Sequence, residues 1–149
     1  MPDFDTIRKG LSEAVPFSRT LGLEYLELTA EHAVLRLPDR PDLHNHVAGP
    51  HAGAMFTLGE SATGAIVVGS FSDLFGEYTP LAAGAQIRYR ALAMGPVTAE
   101  AALARPAADV RADLAAEGKA RFDVTVVLRD EAGTTTGQMT VTWALRRNG

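Results

Sequence analysis

The chain has 149 residues, of which 46% are hydrophobic and 21% charged, with a formal net charge of −4 and no cysteine. This length and composition predict one globular domain whose core is large enough to need no crosslink. The lack of cysteine excludes disulfides, thiolate nucleophiles and zinc–thiolate sites, and the acidic balance without a basic arm argues against a nucleic-acid partner.

The first part of the chain predicts one short helix and two strands. Residues 5–15 carry apolar side chains at helical spacing, and Pro16 ends this helix. Strands are predicted over residues 21–28 and 33–37, the second with the two-residue period of a half-buried strand. Because residues 1–10 are polar and carry both signs of charge, they do not resemble a signal peptide, and we expect a cytoplasmic protein.

A long buried helix is predicted over residues 51–69. This stretch is rich in alanine, glycine and bulky apolar residues, and it is apolar nearly all round. Its glycines cost helix propensity but allow another element to approach the backbone closely. The surrounding stretch, residues 43–72, has Glu60 as its one formal charge and is also interrupted by Asn45 and three histidines, so we expect no membrane span.

Four more strands are predicted after this helix, each from alternating side chains: residues 86–92, 97–104, 122–128 and 139–145. A hairpin turn is predicted at residues 130–133. Six strands that are apolar on one face need a cover, and only the helix at residues 51–69 is long and apolar enough to provide it. The sequence therefore predicts one α+β domain over residues 1–149 with a hotdog fold. This fold is a six-stranded curved antiparallel sheet wrapped around one long central helix, here with a short N-terminal helix added.

Glu60 is the most informative side chain, because it is the only formally charged residue between Asp42 and Asp73. A carboxylate within an apolar helix is paired, protonated, open to a cleft or energetically costly. Helical spacing places Phe56 and Thr63 on its face. We predict a functional carboxylate. The alternative is a glutamate on a solvated edge of the helix, or one paired with an arginine at a subunit interface.

The start of the long helix, His51-Ala52-Gly53, follows Gly49-Pro50. A helix N-terminus offers unpaired N–H groups and the positive end of the helix dipole, and glycine lets a ligand approach the backbone. A thioester carbonyl bound there would be polarised, and its developing oxyanion stabilised. Ordinary capping and tight packing are the alternative explanation.

Asn45 lies six residues before His51 and is a candidate for holding a thioester or a water, although a loop asparagine is also a common turn former. The nearby His44 and His46, without cysteine or an acidic cluster, do not predict a metal site, and no cofactor is predicted. No G-x-S-x-G motif surrounds Ser61, which argues against a serine nucleophile.

Several basic residues are candidates for contacts with the phosphates of coenzyme A. They are Arg88, Arg90, Arg105, Lys119 and Arg121.

These residues, in their order and spacing, resemble the signature of hotdog-fold acyl-CoA thioesterases of the phenylacetate-degradation type. That signature is an Asn, then His-Gly-Gly six residues later, then Leu-Ala-Asp/Glu. The chain matches it with Asn45, His51-Ala52-Gly53-Ala54, Phe56 and Leu58-Gly59-Glu60. It is also similar to a related hotdog family that carries His-x-Gly-Ala and a Glu. The likeness extends over roughly residues 5–146, and the chain departs from the first pattern at Ala52 and Gly59.

The resemblance implies that Glu60 is the catalytic carboxylate, acting as general base on water or as nucleophile on the thioester carbon. It implies that the Gly53 N–H binds the thioester oxygen, that Asn45 positions substrate or water, and that His51 shapes the loop-to-helix junction. In the family the carboxylate acts across the dimer interface, so we expect a homodimer or a dimer of dimers. Substrate contacts are expected from Ala52, Ala54, Phe56, Thr63, Arg88 and Arg90.

Hydrolysis of an acyl-CoA thioester is therefore the leading hypothesis. One alternative is a non-catalytic protein that binds acyl groups or acyl-CoA in the same groove. Another is a hotdog hydratase or dehydratase, in which His51 would act with Glu60. A purely structural role leaves the isolated Glu60 unexplained.

Overall fold

A computed structural model of the chain describes residues 3–149 and contains four α-helices and six β-strands within that range. The helices are α1 (Phe4–Ala14), α2 (Pro16–Thr20), α3 (Ala52–Phe71) and α4 (Ala107–Glu117). The strands are β1 (Glu24–Leu28), β2 (His32–Leu37), β3 (Tyr78–Tyr89), β4 (Val97–Leu103), β5 (Lys119–Asp130) and β6 (Thr135–Arg147).

All six strands form one antiparallel sheet in the order β1-β2-β4-β5-β6-β3. The sheet covers α3, which contacts β1, β2, β4, β5 and β6. The core lies between them, as the alternation predicts: Ala33, Leu35 and Leu37 of β2 are buried, as are Phe122, Val124, Val126 and Leu128 of β5. The predicted hotdog fold is confirmed.

The hairpin turn predicted at residues 130–133 is also present. The Gly133 N–H donates to the Asp130 carbonyl (3.0 Å), and Gly133 has a φ of 84° that favours glycine.

Three elements differ from the prediction. Strand β3 runs from Tyr78 to Tyr89, whereas a strand over residues 86–92 was predicted. Its side chains from Tyr78 to Ile87 are uncharged and mostly exposed, so no alternation of burial marks the added segment. Helix α4 was not predicted; it buries only Val110 and Leu114 and ends at Gly118, whose φ of 70° forms the C-cap. Pro16 does end the first helix, but it also begins α2, where its fixed φ suits the first turn.

Helix α3 is the central helix of the fold. The segment Ala52–Leu74 is long and apolar enough to cross a membrane, but 67% of its most apolar window is buried inside the chain. A stripe of half-buried residues runs along one side of α3. Its residues are Phe56, Thr57, Glu60, Ser61, Gly64 and Val68.

Candidate active site

The loop before α3 is held by the side chain of Asn45. Its Oδ1 accepts hydrogen bonds from the N–H groups of Val47 (3.0 Å) and Gly49 (3.1 Å), and its Nδ2 donates to the Pro50 carbonyl (3.3 Å). In this structure Asn45 therefore acts as a turn former, the alternative to its predicted role in holding a thioester or a water. The loop is tight: Ala48 has a φ of 61°, the left-handed region that L-residues adopt at a cost.

Gly49 lets this loop pack against the connection between β3 and β4. A Cβ at this position would lie 2.6 Å from the Ala93 carbonyl oxygen. The path of the chain into α3 is thus fixed by the Asn45 side chain on one side and by a close backbone contact on the other.

His51 is the N-cap of α3, and its Nδ1 accepts a hydrogen bond from the Gly53 N–H at 2.8 Å. A neutral imidazole that accepts at Nδ1 carries its proton on Nε2. The Gly53 N–H is therefore already bonded, contrary to its expected role as a free oxyanion donor. Within residues 3–149, the N–H groups of Ala52 and Ala54 have no acceptor, as is usual in the first turn of a helix.

Glu60 lies half-buried in the middle of α3. No hydrogen bond or ion pair to its carboxylate occurs among the residues the structure describes, and burial raises its pKa. Tyr25 on β1 lies close enough for the charge of Glu60 to affect its pKa. Burial raises the pKa of this phenol, the Ser18 hydroxyl opposes the shift, and the negative charge of Glu60 adds to it.

A hydrogen-bond chain joins the helix to the sheet beside Glu60. The Nε1 of Trp143 donates to Thr63 Oγ1 (2.9 Å), and that hydroxyl donates to the Glu60 carbonyl (2.7 Å). Thr63 is fully buried, so its expected contact with substrate is wrong; the side chain braces the helix instead. One turn earlier, Gly59 faces Met139, whose Sδ would lie 2.6 Å from an added Cβ.

Two grooves flank the first turn of α3. The first, which we call the Asn45 groove, has a volume of about 420 Å³ and is lined by Asn45, Ala52, Met55, Tyr89, Arg90 and Leu92, among others. The Tyr89 hydroxyl donates to the Ala52 carbonyl there (2.9 Å). The second, the His51 groove, has a volume of about 480 Å³; its α3 wall is formed by Gly53, Ala54 and Thr57, and its apolar facing wall by Phe17, Leu21 and Leu43.

The sequence matches a family described as a domain of unknown function (DUF4442) over residues 5–145. The chain belongs to the DUF4442 family. No curated protein matches the sequence.

Solved structures similar to this DUF4442 chain include a protein of unknown function from Pseudomonas aeruginosa that is described as a probable thioesterase. It is 26% identical, with a TM-score of 0.87, and the match covers 99% of this chain and 97% of that one. A mutant thioesterase from the same organism is 16% identical, with a TM-score of 0.80 and coverage of 99% and 96%. A thioesterase family protein from Silicibacter pomeroyi is 18% identical, with a TM-score of 0.77 and coverage of 95% and 96%. The last two show the shared fold alone.

The DUF4442 chain brings together only part of the predicted site. Asn45, His51, Ala52, Gly53 and Ala54 meet at the start of α3, while Phe56 and Glu60 follow on its half-buried stripe.

Among the predicted basic contacts, Arg88 lies in a separate groove with Thr125, Gln138 and Thr140. Arg90 lines both that groove and the Asn45 groove, and its Nε donates to Gln138 Oε1 (3.1 Å). The neighbouring Ile87 is half-buried, which turns Arg88 to the outer face of the sheet. Arg88 and Arg90 therefore share one groove on the outer face of the sheet, and of these two only Arg90 also lines the Asn45 groove.

The histidines form other contacts. His44 Nε2 lies 2.6 Å from Asp39 Oδ1, and within residues 3–149 no three His, Cys, Asp or Glu side chains converge as metal ligands do.

Sequence reasoning missed Tyr25, Tyr89 and Trp143 as neighbours of the site. All three lie on strands that are well separated from α3 in the sequence. Their aromatic side chains on predicted strands indicated that they pack, but not that they lie beside α3. Buried hydroxyl and indole groups need polar partners, but this need does not specify which element provides them.

Proposed function

We propose that this DUF4442 protein hydrolyses acyl-CoA thioesters, with Glu60 as the catalytic carboxylate and the first turn of α3 as the oxyanion site. The observation that carries the proposal is a half-buried carboxylate that has no partner among residues 3–149, on the same helix as N-terminal N–H groups that have no acceptor in that range. The similar Pseudomonas protein described as a probable thioesterase supports it.

Burial makes Glu60 a stronger base than an exposed carboxylate, because it raises the pKa. A general base works best when its pKa lies closer to the working pH. Glu60 can therefore take a proton from an attacking water, or attack the thioester carbon itself. In the first route the hydroxide adds to the thioester carbon, the C–S bond breaks, and the proton held by Glu60 passes to the leaving thiolate. In the second route the thiolate leaves as Glu60 forms a mixed anhydride with the acyl group, and water then hydrolyses this anhydride to the carboxylic acid and free Glu60.

The developing oxyanion needs a backbone donor, and the Ala52 N–H is the best candidate. It faces no acceptor within residues 3–149 and belongs to a residue that lines the Asn45 groove. The Gly53 N–H becomes available only when the His51 ring turns away from it. Ala52 can replace the glycine of the related signature because the N–H, not the side chain, performs this role.

The two halves of the site lie too far apart to serve one carbonyl within a single chain. Ala52 and Glu60 are eight residues apart on one helix, a rise of roughly 12 Å at about 1.5 Å per residue. A base and an oxyanion donor must each lie within about 3 Å of their reacting atoms. We therefore propose that Glu60 of one protomer acts with the Ala52 N–H of a second copy.

The edge strand β3 offers a surface on which such a second copy can bind. It is exposed over most of its length and carries no charge from Tyr78 to Ile87. Proteins usually protect a long exposed edge with charges or a covering element, and pairing with the same strand of a second copy provides such a cover.

Thiol release from a panel of acyl-CoAs tests the proposed activity. We expect turnover by the wild type and a loss of about 10²–10⁴-fold in Glu60→Ala, the usual contribution of a general base. Glu13→Ala, which changes an exposed glutamate on α1, should leave turnover unchanged. A wild type that releases no thiol from any ester, yet is thermally stabilised by acyl-CoA, would replace hydrolysis with acyl-CoA binding.

Mixed dimers test the contribution of two protomers. Ala52→Pro removes the donor N–H at the first helical position, where proline is tolerated, and the extended φ and ψ of His51 suit a following proline. Co-expressed with Glu60→Ala, it should restore the activity of one intact site per heterodimer. If the two co-expressed variants stay inactive, the Glu60 carboxylate and the Ala52 N–H act within one chain.

A further inference from the structure

We propose that Tyr89 is a positioning residue of the oxyanion site. Its hydroxyl holds one end of the peptide that joins Ala52 to Gly53, and the His51 ring holds the other end. The direction of the Ala52 N–H, the donor for the thioester oxygen, is thereby fixed before the substrate binds. This inference rests on the proposed thioesterase function and deepens it, since it adds a residue of strand β3 to the site.

The peptide between Ala52 and Gly53 is held at both of its polar ends. The Tyr89 hydroxyl donates to the Ala52 carbonyl (2.9 Å), and the Gly53 N–H donates to His51 Nδ1 (2.8 Å). Rotation of this peptide would break both hydrogen bonds at once. The two bonds also strengthen each other, because a carbonyl that accepts a hydrogen bond makes the N–H of the same peptide a better donor.

The preceding peptide, between His51 and Ala52, is held only at its carbonyl. The His51 carbonyl accepts a hydrogen bond from the Met55 N–H (3.0 Å), while the Ala52 N–H of the same peptide has no acceptor within residues 3–149. Because peptides are planar and both peptides beside the Ala52 Cα are held, the Ala52 N–H keeps one direction. A donor held in this way needs no reorganisation when charge develops on the substrate oxygen.

Tyr89 is itself held in place by the sheet. It ends β3 and pairs with Gly137 of β6, and the N–H of the next residue, Arg90, donates to the Thr136 carbonyl (2.8 Å). Burial raises the pKa of the Tyr89 hydroxyl. The hydroxyl therefore keeps its proton at neutral pH and can donate it to the Ala52 carbonyl.

Tyr89 and Ala52 line the same groove, the Asn45 groove, so the hydrogen bond between them lies at the proposed site. Tyr89 is 47% exposed and does not belong to the hydrophobic core. Loss of its hydroxyl should therefore affect the first turn of α3 more than the stability of the fold.

The first test compares the kinetics of the wild type with those of Tyr89→Phe, which keeps the ring and removes the hydroxyl. We expect kcat for acyl-CoA hydrolysis to fall about tenfold, the equivalent of one lost hydrogen bond, while KM stays near the wild-type value. Tyr78→Phe is the matched control, because Tyr78 begins the same strand and its hydroxyl accepts a hydrogen bond from Arg147 (3.0 Å); it should leave kcat unchanged. A kcat of Tyr89→Phe equal to that of the wild type would overturn the proposal and leave the thioesterase standing.

Calorimetry with two non-hydrolysable CoA analogues separates positioning from a merely structural role. In the first, a ketone, a methylene replaces the thioester sulfur and the carbonyl is kept; the second, an S-alkyl thioether, has no carbonyl. Tyr89→Phe should weaken binding of the ketone about threefold, less than the loss in kcat because a ketone carries less charge than the oxyanion, and should leave the thioether affinity unchanged.

Equal losses for the two analogues would assign Tyr89 a structural role and overturn the proposal. If the wild type hydrolyses no ester, the proposed catalysis is wrong, and the two affinities then decide the role of Tyr89. A loss confined to the ketone would keep Tyr89 as the support of a carbonyl-binding site, and any other result would overturn it.

Discussion

Replacing Glu60 with glutamine should stabilise the fold at neutral pH while it removes activity. Burial raises the pKa of this carboxyl, and within residues 3–149 nothing donates to it or forms an ion pair with it. The ionised form is therefore less favourable in the folded chain than in the unfolded chain. Glutamine keeps the shape of the side chain and removes the charge.

The sign of the effect follows from the raised pKa. Because the folded state binds the carboxyl proton more tightly, ionisation of Glu60 lowers the free energy of unfolding. This loss is absent below the pKa of the unfolded chain, grows as the pH rises through the pKa of the folded chain, and is complete above that pKa. Because Glu60 is only half-buried, water screens part of this cost. We expect the free energy of unfolding to rise by about 1 kcal/mol at neutral pH, the usual size of a single-substitution effect, which corresponds to about 2–4 °C in Tm for a chain of this size.

Thermal unfolding followed by circular dichroism, at neutral pH and again below the carboxyl range, measures this difference. The gain of Glu60→Gln over the wild type should disappear in acid, and Glu13→Gln should show no gain at either pH. A Glu60→Gln variant less stable than the wild type at neutral pH would refute the reasoning. It would mean that Glu60 has a partner, such as an arginine of a second protomer, and would favour the structural alternative for this residue.

Two further substitutions test packing and hydrogen-bond contacts that support the site. Gly49→Ala should destabilise the fold by about 1–3 kcal/mol through overpacking, because its Cβ would lie 2.6 Å from the Ala93 carbonyl oxygen. Thermal unfolding measures this loss, with Gly76→Ala as the control because no atom lies within 4 Å of its added group. Equal Tm values for the Gly49→Ala and Gly76→Ala variants would contradict the prediction. Thr63→Val should cost about 1–3 kcal/mol in denaturant unfolding, since the Trp143 Nε1–H loses its acceptor; no loss would show that another group replaces the hydroxyl.

The fold was predictable wherever one face of an element is buried. Strands β2 and β5 alternate because one side meets α3, and α3 itself is apolar because the sheet surrounds it. Strand β3 was only half predicted, because an exposed edge imposes no alternation on its side chains. Helix α4 buries two side chains, too few to produce a clear amphipathic pattern.

The site was predictable where it depends on local chemistry. The isolation of Glu60 in an apolar helix and the position of His51 at a helix start are properties of neighbouring residues. The bond from Gly53 to the His51 ring depends on a rotamer, and the contact between Thr63 and Trp143 joins positions 80 residues apart. The sequence carries no direct signal for either.

The hydrogen bond between Trp143 and Thr63 also provides an optical probe of the site. Trp143 is the only tryptophan of the chain, and its indole bonds a hydroxyl that in turn bonds the carbonyl of Glu60. Indole emission responds to loss of a hydrogen bond and to exposure to water. Substrate binding or subunit association that shifts α3 against β6 should therefore change the intrinsic fluorescence, and the unlabelled wild-type protein can report such a movement in real time.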